Sequence, residues 1–257
     1  MLDKIIAKRR QYIEKEKAAI TMEELLMLAA CAPARRRLSA QMKRGCKPVI
    51  IAEVKKASPS AGLIRDKYDP VEIAQAYEKA GASAVSVLTE PHFFLGEMDD
   101  LTRVKQQVHI PVLRKDFIVD EYQIAESAAY GADIILLIVA ALGDKQLKDY
   151  AKMAAGLGLE VLVEAHTEHE LEKALEVDDA LIGINSRDLK TLKTDLAVPF
   201  RLASFIPQNR ISIAESGIKT PDDVRTLFAS GYKGFLVGES LLKKQDSEVL
   251  LTSFINI

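Results

Sequence analysis

PVIIAEV at 48–54 is a short apolar run that ends in a carboxylate, and its reading decides the fold. Its apolar residues do not alternate with polar ones. That pattern suits a strand covered on both faces, as in a parallel sheet wrapped by helices. Seven runs of the same kind follow: SAVSVLT (83–89), PVLRKD (111–116), DIILLIV (133–139), LEVLVEA (159–165), LIGIN (181–185), RISIAES (210–216) and GFLVGES (234–240). Helical patterns lie between them, over 70–80, 97–107, 120–130, 144–156, 167–176 and 220–230. Asp69-Pro70 and Thr220-Pro221 carry an N-cap followed by a first-turn proline. Gly81, Gly131 and Gly231 stand just past helix ends, where a left-handed cap is common. Eight strand–helix units in roughly 210 residues predict an α/β fold, a closed (β/α)8 TIM barrel over 48–257. An open doubly wound sheet is the alternative, but no GxGxxG follows the first strand and no Walker loop is present.

Residues 1–47 differ from the rest. They are rich in Lys and Arg and have helical periodicity, which predicts a helical extension packed on the barrel. Thr21 and Glu24 have capping-box spacing and open a helix through Cys31. Arg35-Arg36-Arg37 reads as a solvated helix end or linker rather than a nucleic-acid patch, because no other basic cluster joins it. A net charge of −2 gives no footprint for nucleic acid or an anionic membrane surface. The strongest apolar run, ADIILLIVAAL, is too short to cross a bilayer, and the N-terminus lacks the apolar core of a secretory signal. Cys31 and Cys46 have no CxxC spacing; they imply no disulfide framework and suit a reducing cytoplasm.

In such barrels chemistry sits at the C-terminal ends of the strands. The fourth run offers nothing charged at once, and the other seven close with Glu53, Lys55 and Ser58; Glu90, Phe93 and Phe94; Lys115 and Asp116; Glu164 and His166; Asn185, Ser186, Arg187 and Asp188; Glu215, Ser216 and Gly217; Gly238, Glu239 and Ser240. Buried charge is costly without partners, so this much charge at one mouth favours a site that handles charged ligands. ESG (215–217) and VGES (237–240) place glycines where helix starts are expected, and loops seven and eight of such barrels often bind phosphate through backbone N–H groups. Glu239 would repel a phosphate unless its side chain turns away. The long loop KKASPSAGLIRDKYDP (55–70) reads as a lid. His166 and His169 beside Glu164 invite a metal, yet a third convergent His or Cys is missing. A Ser-His-Asp triad is not excluded by residue order, although GxSxG is absent.

These segments carry a resemblance. IAEVKKASPSAGLI, SVLTEPHFFLG, PVLRKDFIVDEYQI, ADIILLIV, VLVEAHTEHEL, IGINSRDLKT, ISIAESGI and GFLVGESL resemble, in order, the strand motifs of indole-3-glycerol-phosphate synthases across residues 48–245. The resemblance implies conversion of 1-(2-carboxyphenylamino)-1-deoxyribulose 5-phosphate to indole-3-glycerol phosphate, CO2 and water, without metal or organic cofactor. It implies a small phosphosugar as the only partner, no nucleic acid or membrane, and a monomer or weak homo-oligomer. Residue by residue, Lys115 matches the principal general acid and Glu164 the fifth-strand catalytic carboxylate. Glu53 and Lys55 match the first-strand pair, the lysine being a candidate proton donor for dehydration. Asn185 and Arg187 match groups that hold the anthranilate end and the reacting sugar. Ser58, Phe94 and Phe117 match substrate-lining positions, and Glu215 and Ser216 the seventh-strand pair. Ser216, Gly217, Gly238 and Glu239 fall on the phosphate side. Ala61 departs from the basic residue frequent in the family's lid, and Ser186 replaces a frequent Asn. Two other readings stay open: Lys115 as a Schiff-base nucleophile, and a non-catalytic phosphosugar binder. The direction of the Lys115 pKa also stays open. Neighbouring Lys55 and Arg187 and burial would lower it, and Glu53 and Glu164 would raise it.

Overall fold

The eight apolar runs become eight strands: β1 (Val49–Val54), β2 (Ala84–Leu88), β3 (Val112–Lys115), β4 (Ile134–Ile138), β5 (Glu160–Ala165), β6 (Leu181–Asn185), β7 (Ser212–Glu215) and β8 (Gly234–Val237). Every position in them is buried except Lys115. The computed structural model describes residues 1–44, 47–64, 68–242 and 246–257, so Cys46 and the lid residues 65–67 lie outside the described residues. The strands are parallel and close into a ring, β1 pairing with both β2 and β8. The open sheet is therefore excluded.

Helices α4 (Pro70–Lys79), α5 (Met98–Gln107), α6 (Tyr122–Ala129), α7 (Asp144–Gly156), α8 (Glu168–Leu175), α9 (Ala197–Ala203) and α10 (Pro221–Ala229) follow strands one to seven. Their starts obey the sequence. Asp69 accepts from the N–H groups of Val71 and Glu72, and Thr220 and Asp223 form a reciprocal capping box. Gly81, Gly131 and Gly231 have φ of +98°, +93° and +107° and end their helices as expected. After β8 come the short α11 (Glu239–Leu242) and α12 (Ser247–Ile255).

The extension forms α1 (Leu2–Ala19), α2 (Met22–Cys31) and α3 (Leu38–Arg44). The Thr21–Glu24 capping box is present. The extension touches both ends of the barrel. Leu2 and Ile5 of α1, and Leu38 and Met42 of α3, belong to the same apolar cluster as the barrel interior, with Ile51, Leu113, Leu136, Leu162 and Leu236. Burying each such side chain contributes roughly 1.5–3 kcal/mol. At the N-terminal end of the strands, Glu160 accepts from the N–H groups of Leu38 and Ser39, and Asp133 accepts from that of Arg36. Arg35 and Arg36 donate to the carbonyls of Ala128 and Ile110. This corrects the solvated-linker reading of the basic run: two of its three arginines are clamps, because the connection to α3 crosses a ring of exposed carbonyls and acidic strand starts.

Candidate active site

Strand alternation sends every second side chain inward, and the register sets the heights at which they arrive. Glu164 on β5 lies level with Ile138 and Gly183, and Asn185 on β6 with Glu215 on β7. Lys115 on β3 reaches across the barrel. Its Nζ donates to Glu164 Oε2 and to Glu215 Oε2, each at 2.9 Å. On β1, Lys55 pairs with Glu53. These five groups line one cavity of about 780 Å³ at the C-terminal mouth, with Ser58, Phe94, Phe117, Asn185, Arg187, Ser216, Gly217, Gly238 and Glu239. The residues that the family resemblance assigned to the site thus line one cavity.

The electrostatics turn on one ammonium between two carboxylates. Burial opposes the charge on Lys115, but Glu164, Glu215 and Glu53 outweigh it and hold the lysine above its usual range. The direction left open by sequence is therefore upward. Lys55 and Arg187, expected to depress it, have carboxylates of their own. Burial also pushes both glutamates towards protonation, but with different outcomes. Glu164 faces Lys115 on one oxygen and His166 Nε2, 3.3 Å away, on the other, and is held well below the usual carboxylate range. Glu215 shares only Lys115 and feels Glu164, and is pushed up to about 7.

The rim is built from turns. Arg187 donates to Ser60 Oγ at 2.6 Å and to Glu239 Oε2 at 2.9 Å, tying the loop after β6 to the lid and to the end of β8. The lid begins as a small antiparallel hairpin, Ala57–Ser58 with Gly62–Leu63. Asn185 Oδ1 accepts from the Arg187 N–H, and Ser58 Oγ from the Ala61 N–H. The rings of Phe94 and Phe117 pack at 6.0 Å between centroids. Ser216 and Gly217 both have positive φ, +63° and +80°, and a non-glycine in that region marks a forced turn. Ser240 Oγ donates to Ile218 O and holds the β7 and β8 turns together. Glu239 does turn its carboxylate to Arg187.

Some expectations need correction. The Ser216-Gly217 turn does not directly open a helix, since α10 starts only at Pro221. Gly238 also makes room for Glu53, since a Cβ there would overlap Glu53 Oε1. Glu90 does not line the cavity; it accepts from the N–H groups of His92, Phe93 and Phe94 and shapes that loop. Asp188 caps its own turn through the N–H groups of Lys190 and Thr191. His169 is exposed beside Glu172, away from His166. Among the described residues no cluster of His, Cys, Asp or Glu is arranged to hold a metal.

Three features escaped the sequence reading. Leu2 and Ile5 of α1 line the cavity, and their spacing with Arg9 and Ile13 along one helix face was the available signal. Gly183 leaves the gap that Glu215 Oε1 fills, and a glycine inside a strand is a known mark of close approach. Glu170 holds the ring of His166.

The family model for indole-3-glycerol phosphate synthase matches residues 2–254. The chain belongs to the indole-3-glycerol phosphate synthase family. Proteins of that name from Caldanaerobacter subterraneus subsp. tengcongensis and Rhodopirellula baltica are 47% and 44% identical to it. The first alignment covers 97% of this chain and 96% of the relative, the second 96% and 95%. Among solved structures, tryptophan synthase subunit alpha from Legionella pneumophila has a TM-score of 0.60 at 15% identity, covering 85% of this chain and 95% of that one. A phosphoribosylanthranilate isomerase from Thermotoga maritima scores 0.58 at 14% identity, covering 81% and 97%. At those identities the likeness concerns the barrel alone.

Proposed function

We propose that the chain acts as an indole-3-glycerol-phosphate synthase, with Lys115 as the acid that drives ring closure. The substrate carries a phosphate, a carboxylate and a ketone. Its ring carbon bearing the carboxylate attacks the ketone carbon, and the carbonyl oxygen takes a proton from the Lys115 ammonium. Glu164, kept anionic, faces the iminium-like charge that develops on the ring and nitrogen. The carboxylate leaves as CO2, and its electron pair restores the ring. The new hydroxyl then leaves as water, with Lys55 as proton donor, while a proton is lost from the adjacent carbon.

The observation that carries this reading is the ammonium of Lys115 bracketed at 2.9 Å by Glu164 and Glu215. Those carboxylates keep it protonated, which suits an acid and disfavours a Schiff-base nucleophile, since the latter needs a free amine. Phe94 and Phe117 offer apolar surface to the anthranilate ring. Asn185 and Arg187 hold its polar end and the sugar, and Ser58 lines the lid side. The phosphate lies between the Ser216-Gly217 and Gly238-Glu239 turns, bound mainly by backbone N–H groups. Glu53 positions Lys55. We place the enzyme in the cytoplasm as a monomer or weak homo-oligomer; no described helix is long and apolar enough to cross a membrane. Incubation with the synthetic carboxyphenylamino substrate should produce indole fluorescence, and borohydride should trap no adduct on Lys115. Absent fluorescence refutes the activity; a trapped adduct refutes the acid role.

A further inference from the structure

His166, its side chain 12% exposed, is a titratable group at the end of β5 that the reaction above does not use. It closes β5 two residues after Glu164, and α8 turns back over it. Its backbone N–H donates to Glu170 Oε2 at 2.7 Å, and its Nδ1 lies 3.1 Å from the same oxygen. Its Nε2 lies 3.3 Å from Glu164 Oε1, and neither atom has a hydrogen-bond partner, so that approach is one of charge. Lys115 binds the other oxygen of the same carboxylate. Glu164 is therefore flanked by two cationic groups, whereas Glu215 has only its share of Lys115.

We propose that His166 is a positioning residue for the ring-closing reaction, an imidazolium that fixes Glu164 as the anionic carboxylate and leaves Glu215 as the proton carrier. The inference rests on the activity proposed above and deepens it. Two like carboxylates around one ammonium would otherwise share a proton without preference. An extra cation on one side breaks that symmetry, so the stabilising anion stands on β5 and the spare proton on β7. The groups that face the imidazole support its charge. Glu170 of α8 and Glu164 are in contact, and Asp188 of the loop after β6 adds attraction over a longer range. Lys115 opposes it from the far oxygen of Glu164, and Glu215 lies beyond Lys115. Burial works against the imidazolium, but Glu164 and Glu170 outweigh it and push its pKa up to about 10.

The pH profile of kcat tests this, because a merely structural histidine would leave it in place. In His166→Gln the polar contacts survive without the charge. The proton that the carboxylate pair takes up near neutrality then falls partly on Glu164, so the acid limb should move upward by up to about one pH unit and turnover near neutrality should fall about twofold, recovering at alkaline pH. His169→Gln, at an exposed histidine, should leave the profile unchanged. A His166→Gln profile that superimposes on wild type overturns the inference. No product from wild type overturns the activity instead. A second readout needs no turnover and serves if His166→Gln does not fold. Nitrogen-detected NMR of wild type should show one of the four histidines doubly protonated up to about pH 10. Glu170→Gln should lower that midpoint by about one unit or more. Four histidines that all titrate near the ordinary value sink the proposal.

Discussion

Lys115 and Asp116 are neighbours in the chain, yet they belong to two buried charge clusters built on different terms. Asp116 turns outward, under α1 and α6. It accepts from Arg9 Nε and Nη2, from Arg114 at 2.9 Å, from Thr89 Oγ1 at 2.9 Å and from the Phe117 N–H at 2.7 Å. Arg114 also binds Gln123 O, Ser127 Oγ and Glu126. Burial works against the Asp116 charge, but Arg9 and Arg114 overcome it and hold the carboxyl at about 2. Asp116 itself has every partner it needs and stays charged across the physiological range. Lys115, facing inward, is one cation divided between two carboxylates, and Glu215 is left with a pKa of about 7. A saturated cluster holds structure; an undersupplied one keeps a proton mobile at working pH. The difference separates scaffold from chemistry better than burial does, since both clusters are buried.

Removing the central cation gives the largest expected effect. Lys115→Met keeps the length of the side chain but not the proton, and should lower kcat roughly a hundredfold or more, consistent with loss of a general acid. The fold should survive, because Glu164 and Glu215 can share a proton in place of the ammonium. The equivalent cut outside has the opposite outcome. Asp116→Ala removes the carboxylate that Arg9 and Arg114 share in a dry site, leaving only Glu16 and Glu126 against the two guanidiniums, and should cost about 3–5 kcal/mol in urea unfolding. If Lys115→Met unfolds the protein while Asp116→Ala does not, the contrast between the clusters is wrong.

The two clusters should also respond to pH with opposite sign. Glu215 has a folded pKa raised from 4.5 to about 7, so the folded state binds more protons between those values. Its contribution is fully present below 4.5 and is lost as pH rises through 7. Asp116, lowered from 3.8 to about 2, contributes above 3.8 and loses that contribution as pH falls through 2. Glu215→Gln mimics the protonated group. It should flatten the loss of stability between mildly acidic and neutral pH and should be more stable than wild type at alkaline pH, by on the order of 1–3 kcal/mol. Unfolding curves that stay parallel across this range would show that Glu215 does not carry the proton.

The barrel was legible because strand burial writes itself as apolar runs, and helix ends as Asp-Pro, Thr-Pro and Gly. The site residues were legible because they close those runs and match family motifs. The charge states were not, since a pKa depends on distances between strands far apart in sequence. Lys115 and Glu215 are 100 residues apart and meet at 2.9 Å. Lys55 and Arg187 looked like neighbours that would depress Lys115; only coordinates show that Glu53 and Glu239 neutralise them first. Gly238 was legible as a close approach, but not which group approaches. Arg9 lies on the extension expected to pack on the barrel, but its partner Asp116 lies 107 residues away.

The rim extends the comparison to a pair that is only half buried, and there the smallest effect is expected. Glu239 is 41% exposed and its bridge to Arg187 is wet, so the pair itself adds at most about 1 kcal/mol to stability. Its effect should lie in binding. Glu239 neutralises the arginine proposed above to hold the substrate's polar end, and its charge stands beside the proposed phosphate turn. Glu239→Gln keeps a hydrogen bond to Arg187 and removes the repulsion. KM should therefore fall, by up to about threefold, with kcat unchanged, and more clearly at low salt, where rim charges are less screened. A rise in KM would mean that the carboxylate is needed to aim Arg187. The rim would then follow the saturated logic of the Asp116 cluster rather than the open logic of the mouth.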